Sequence, residues 1–248
     1  MPETITAAIL VIGDEILSGR TKDKNIGYIA DILSAVGIDL KQVRVVSDDE
    51  ADIIEALNSL RKRYTYVFTT GGIGPTHDDI TADCVAKAFG VELVEDERAM
   101  VLLLERIKLE DMNEARRRMA RIPVGASLVK NAISKAPGFM IENVIVMAGV
   151  PAVMQSMLDD VLPRLKTGVK MLSESIDATG LKEGGYAADL GVLQKAHSDI
   201  IIGSYPSIQP DGRFSNQIVV RSKDETALKA ASADVRAMVA KMLENINT

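Results

Sequence analysis

Three apolar runs, at residues 5–12, 40–46 and 66–70, alternate with two segments whose apolar residues recur at helical spacing, and this alternation constrains the chain more than any other feature. The first run is almost continuous, the pattern of a strand covered on both faces, and stops at Gly13-Asp14-Glu15. From Asn25, read as an N-cap, Ile26, Ile29, Ala30, Leu33 and Val36 form a helical stripe closed by Gly37. Asp48 and Asp49 then cap a helix to about Arg61, with Ile53, Ile54, Leu57 and Leu60 on one face. Strand, helix, strand, helix, strand predicts right-handed crossovers and a parallel sheet, whose ligands bind beyond the carboxyl ends of the strands. The segments leaving those ends, 13–19, 47–50 and 71–79, all carry carboxylates.

Further along, 80–89 reads as a short helix closed by Gly90, 96–121 as charge-rich helix, and 138–148 as a hairpin turning at Glu142-Asn143. Pro151 opens another helix. From about residue 167 the pattern changes to strand (169–178), helix (185–197), strand (200–205), strand (214–221) and helix (225–243), with Pro210-Asp211-Gly212 joining the last two strands. The expected domains are 1–166, α/β, and 167–248, small α+β.

Charge and composition restrict the partners. Lys and Arg number 29 against 35 Asp and Glu, and there is no Trp with only 4 Phe and 5 Tyr, so neither a basic footprint nor stacking platforms for nucleic acid are available. Cys84 alone makes no internal disulfide and fits a reducing compartment, the cytoplasm by default. The start of the chain has no basic flank, and the longest uncharged stretch, 143–158, is shorter than the roughly 20 residues of a membrane span.

The most informative string is Thr69-Thr-Gly-Gly-Ile-Gly-Pro-Thr-His-Asp-Asp-Ile-Thr81. Glycines let successive amides point into one concavity, and a helix start adds roughly half a positive charge, which suits phosphate. Asp78 and Asp79 would repel a bare phosphate there, a conflict resolved if they hold a divalent cation bridging to the anion. The alternative is that Asp78 or Asp79 caps the helix, and the same holds for Asp48. His77 reads as a general base or phosphate donor, or as a solvated side chain; His197 receives no function. Cys84, among Ala82, Val85 and Ala88, reads as core filler. Arg116, Arg117, Arg118 and Arg121 read as a solvated face or subunit contact, with ligand binding as the alternative.

Gly13-Asp-Glu-Ile-Leu17, Asn25, the 69–79 string with Thr81, Ala136-Pro-Gly-Phe139 and Gly149-Val-Pro151 together resemble the N-terminal half of the competence/damage-inducible CinA family and the wider molybdopterin-binding superfamily. The likeness spans about residues 4–165, and the small domain resembles the KH-like unit that follows in CinA proteins. The resemblance implies a three-layer α/β/α fold, an oligomer of identical chains, and a pyrophosphatase dependent on a divalent cation (Mg, Mn or Co) that acts on ADP-ribose or FAD. Molybdopterin, bound or adenylylated, is the alternative ligand, and a non-catalytic nucleotide-binding module a third reading. The nicotinamide mononucleotide deamidase domain of full-length CinA proteins is not expected in a chain ending at Thr248.

Carried onto this sequence, Asp14, Asp48 and Asp79 are the catalytic carboxylates, joined by Asp78 in holding metal. Ligand contacts fall to Gly13, Glu15 and Asn25, to Gly71, Gly72, Gly74, Pro75, Thr76 and Thr81 in the loop, and to Lys135, Pro137, Gly138, Gly149 and Pro151. The chain departs from the family pattern at Val153, where Glu is expected, at Ser134-Lys135 in place of Gly-Thr, and at Met119 in place of Gln. Lys135 adds a positive charge available to phosphate.

Overall fold

A computed structural model describes residues 4–208 and 214–246. The chain forms two compact units, Met1–Gly168 and Val169–Thr248.

The first unit begins with β1 (Thr6–Ile12), a single helical turn α1 (Asp14–Leu17), α2 (Asn25–Ala35), β2 (Asp39–Val46), α3 (Glu50–Arg63), β3 (Tyr66–Thr70) and α4 (Thr81–Phe89). It continues through β4 (Leu93–Glu95), α5 (Glu97–Leu104), α6 (Glu114–Arg118), β5 (Arg121–Pro123), β6 (Ser127–Val129), β7 (Gly138–Ile141), β8 (Val144–Met147) and α7 (Pro151–Val161). Six strands form one sheet in the order β2-β1-β3-β8-β7-β6; β2, β1, β3 and β8 run parallel, and β7 and β6 pair antiparallel at one edge.

The unbroken apolar run of β1 is explained by burial on both sides. Ala8, Leu10 and Ile12 pack with Ile53 and Leu57 of α3 and Val85 of α4. Ala7, Ile9 and Val11 pack with Ile29 and Leu33 of α2 and with Met154 and Leu158 of α7. Each large aliphatic side chain so buried stabilises the fold by about 1.5–3 kcal/mol. The result is the three-layer α/β/α arrangement, with β1 lying between β2 and β3 in the middle layer.

Two segments depart from the sequence expectation. The charge-rich stretch 96–121 is not one helix: α5 ends at Leu104, a 3-10 turn spans Leu109–Asp111, and Asn113 starts α6 afresh by accepting a hydrogen bond from the Arg116 amide at 2.9 Å. Arg121–Pro123 then pairs antiparallel with Leu93–Glu95, neither strand being anticipated, and Pro123 suits an edge because it has no N–H to give. The edge strand β6, three residues long, was also unanticipated. At α2, Asn25 is already helical and Lys24 holds the N-cap position; the hydrogen bonds that tie down the helix start come from Asp23, whose carboxylate accepts from the amides of Asn25 and Ile26 at 3.0 and 2.8 Å.

The second unit contains β9 (Leu172–Asp177), α8 (Glu183–Ala196), β10 (Ile201–Ile208), β11 (Phe214–Ser222) and α9 (Glu225–Ile246). Its antiparallel sheet, ordered β10-β11-β9, packs Ile176, Ile218 and Val220 against Tyr186 of α8 and Leu228 and Val235 of α9. This is the expected α+β unit, with β9 starting three residues later; the turn read at Pro210-Asp211-Gly212 lies outside the described residues. His197 gains a partner that sequence did not disclose, Asp234 at 2.8 Å. Among the described residues no helix is long and apolar enough to cross a membrane.

Candidate functional site

Because β2, β1 and β3 are adjacent and parallel, the turns after Val46, Ile12 and Thr70 meet along one rim. The Gly13 amide donates to the Val46 carbonyl at 3.1 Å, joining the first two turns. Asp48 extends the join, accepting from the Asp14 amide at 3.0 Å. The capping role is taken by its neighbour: Asp49 accepts from Ala51 and Asp52 at 2.9 and 3.1 Å, so the expectation that Asp48 caps α3 is corrected. One carboxylate holds the helix and the other is released to the rim.

Asp14, Glu15, Asp48 and Asp78 line a shared hollow of about 640 Å³ together with Ser18 and Arg20. Partial burial, with the negative charges of Asp14, Glu15 and Asp78 adding to it, raises the Asp48 carboxyl above its ordinary value, against the opposing hydrogen bond from Asp14. Asp78, in contrast, is held below the usual carboxylate range by the Thr76 hydroxyl, which it shares with Asp79, and by its own amide. The donors are hard oxygens of one sign, the kind that suits magnesium or manganese. They are not gathered as a ready cage: among the described residues no three His, Cys, Asp or Glu side chains form a metal-holding group.

The glycine loop is shaped by close approach. Gly71 has φ +105°, and a Cβ there would lie 2.1 Å from the Ile12 carbonyl oxygen; at Gly72, φ +65°, it would lie 2.2 Å from Thr81 Oγ1. Thr81 is fully buried and fastens the loop, its hydroxyl donating to the Gly71 carbonyl and its amide to that of Gly72, both at 3.0 Å. It is therefore a pin for the loop and not an open contact. Among the described residues the amides of Gly72, Ile73 and Gly74 enter no hydrogen bond, leaving three consecutive donors on the half-exposed loop.

Asp79 stands apart from the acidic hollow. It does not cap α4, whose N-cap is Ile80; its Oδ2 accepts from the Thr76 amide at 2.8 Å and from the Thr76 hydroxyl. With Gly72, Gly74, Pro137 and Met119 it lines a narrow neighbouring cleft. Asp78 and Asp79 thus face different recesses.

Of the other expected contacts, Asn25 is buried and braces the site from behind, donating Nδ2 to the Gly149 carbonyl at 2.8 Å. Gly149 in turn lies against the Gly71 Cα. Gly138 opens β7, Pro151 occupies the first turn of α7, and Val153 is buried in the core beside Met154. Lys135, with φ 64°, sends its ammonium to Glu105 at 2.7 Å. Pro75, Thr76 and His77, the last almost fully exposed, border a third cavity of about 560 Å³ with Arg117, Arg118 and Arg121. Those arginines, read from the sequence as a solvated face or subunit contact with ligand binding as the alternative, and Arg20, which the sequence reading passed over, line these cavities; no local pattern distinguishes them. Cys84 is fully buried, and burial pushes its thiol up to about 12, as core filler requires.

Residues 8–167 match the family model of the probable molybdopterin binding domain, and residues 170–246 that of the FAD synthase middle domain. The chain belongs to the molybdopterin-binding domain family. A Pyrococcus furiosus protein is 34% identical over 244 residues, covering 91% of this chain and 93% of its own. A Clostridium beijerinckii protein named as competence-damage inducible is 34% identical over 208 residues, 80% of this chain and 51% of its own length. Among solved structures, CinA of Thermoplasma acidophilum, described as of unknown function, superposes with a TM-score of 0.62 at 30% identity, covering 65% of this chain and 99% of that one. This molybdopterin-binding-domain protein is accordingly CinA-like in its first unit.

Proposed function

We propose that the protein hydrolyses a dinucleotide-type diphosphate, ADP-ribose or FAD, to AMP and the partner phosphate. The observation that carries this reading is the acidic hollow of Asp14, Glu15, Asp48 and Asp78, bordered by the same glycine loop whose Gly72, Ile73 and Gly74 line the next cleft with Asp79. Asp14, Asp48 and Asp78 would hold a divalent cation, which would supply Lewis acidity and neutralise diphosphate charge. The amides of Gly72, Ile73 and Gly74 orient the diphosphate. Asp79, with Oδ2 committed to Thr76, receives at Oδ1 the proton of the attacking water. The water oxygen bonds to one phosphorus as the bridging P–O bond breaks, and the other phosphate departs with the electron pair. The start of α4 contributes about 0.3–2 kcal/mol against the about 8 kcal/mol or more that catalysis requires, so positioning and charge neutralisation carry the rate.

The test is incubation of the pure protein with ADP-ribose, FAD and NAD under Mg²⁺, Mn²⁺ or Co²⁺ and separation of the products. AMP release that disappears in Asp79→Asn, a variant that keeps an acceptor for Thr76, is the expected result. The family match over residues 8–167 favours a second reading, binding of molybdopterin or its adenylylated form in the same loop. Calorimetric binding of pterin with no cleavage of any dinucleotide would select it.

A further inference from the structure

The cavity bordered by Arg117, Arg118 and Arg121 is built differently from a solvated basic face. Arg118 donates Nε and Nη2 to the backbone carbonyl of Asp79, at 3.2 and 3.1 Å, so its guanidinium is fixed to the glycine loop. Arg121 forms a two-pronged pair with Asp83, at 2.9 and 2.6 Å. The same Asp83 also lies 3.5 Å from Arg118, and all three side chains are less than one-third exposed. One carboxylate therefore serves two guanidiniums; with Glu95 and Glu114 in the lining the formal charges balance, so what sets this pair apart is a set of fixed, partly desolvated planar donors and not an excess of charge. Arg121 Nε is buried with no partner. Arg117 is half exposed and paired with Glu95 at 2.8 Å; Glu114 and His77 complete the titratable lining. Arg118 and Arg121 border both this cavity and the narrow cleft of Gly72, Gly74 and Asp79, and so form the wall between them.

We infer that Arg118 and Arg121 form an oxyanion clamp that takes a phosphoryl group of the small-molecule ligand on the side of the glycine loop away from the acidic hollow. Fixed, planar donors suit the oxygens of a phosphate better than a mobile ammonium would. The inference deepens the diphosphate reading and rests on it for the ligand class, but it concerns binding and needs no turnover. A ligand anchored at this clamp has one phosphate held by arginine while the loop amides hold the next, which makes a diphosphate a better occupant than a lone phosphate or an uncharged nucleoside.

The experiment is calorimetric titration of the full chain with inorganic pyrophosphate in EDTA, so that no cation contributes, with adenosine as the uncharged comparison. Wild type is expected to bind pyrophosphate and not adenosine. Arg118→Gln and Arg121→Gln should each weaken pyrophosphate binding tenfold or more. Arg116→Gln, the same charge change on the helix that carries Arg118 but outside the cavity lining, should leave affinity within twofold. A direct readout guards against misfolding: on wild type, the arginine Nε–H NMR signals of residues 118 and 121 should move with pyrophosphate. No pyrophosphate binding, equal losses in all three variants, or immobile Arg118 and Arg121 signals would overturn the clamp. Pyrophosphate binding without any AMP release leaves the clamp standing and removes the hydrolase; AMP release undiminished by Arg118→Gln and Arg121→Gln does the reverse.

Discussion

The carboxylate of Asp48 accepts the backbone amide of Asp14 at 3.0 Å, tying two turns 34 residues apart in the sequence. The bond is exposed, so water can replace it, and both Asp48→Asn and Asp48→Ala should lose no more than about 1 kcal/mol in urea unfolding. Their effect on cation binding should be larger. At surface dielectric a unit charge removed a few ångströms from a divalent ion is worth more than about 1.4 kcal/mol, so Mn²⁺ affinity measured by electron paramagnetic resonance should fall about tenfold or more in either variant. Wild-type affinity in Asp48→Asn would dissociate this carboxylate from any cation.

Asn25→Ala removes the buried donor to the Gly149 carbonyl and leaves that oxygen without its partner. A cost of about 1–3 kcal/mol is expected from denaturant curves. Ligand binding should weaken with it, because Gly149 supports the Gly71 backbone. A stable variant would mean that the brace is dispensable.

Gly71→Ala and Gly90→Ala separate steric approach from backbone conformation. Both glycines have positive φ, but Gly90 opens to empty space, whereas a methyl at Gly71 would meet the Ile12 carbonyl oxygen. Gly90→Ala should cost about 1–2 kcal/mol, the left-handed penalty alone. Gly71→Ala should cost clearly more or prevent folding; equal melting temperatures would refute the contact.

Cys84 should be unreactive toward a thiol-specific disulfide reagent at pH 8 in the native protein and react fully once unfolded. Its pH dependence has a fixed sign. With the native thiol pushed up to about 12 from an ordinary 9.0, the unfolded chain releases this proton first, so native stability declines as pH rises above about 9. The stability difference between wild type and Cys84→Ala should therefore narrow between pH 9 and 11. A constant difference would show that burial does not raise the thiol.

The central strands, the helices on each face and the convergence of three acidic turns were legible because each depends on local periodicity and on the rule that parallel strands deliver their loops to one rim. What escaped reading depends on contacts distant in sequence. Nothing in Asp48-Asp49 says which carboxylate caps α3, since the choice is made by the Asp14 amide. Asn25 looked like a cap, but Asp23 supplies that bond and frees Asn25 for Gly149, 124 residues away. The segment 96–121 has helical composition throughout, yet pairing of residues 121–123 with 93–95 interrupts it and turns Arg118 and Arg121 toward the loop. Asp83, in the first turn of α4, reads as an ordinary helix-start carboxylate and gives no local sign that it will be shared by two arginines.

The path from Asn25 through Gly149 to Gly71, closed on the other side by Thr81, means that the curve of residues 71–74 is imposed from outside those residues. A synthetic peptide carrying only that string would not keep the curve, and a graft into another scaffold would have to carry the start of α2 and the turn before α7 as well. Variation at either of those remote segments is therefore a route by which relatives can retune ligand affinity while leaving the glycine string unaltered.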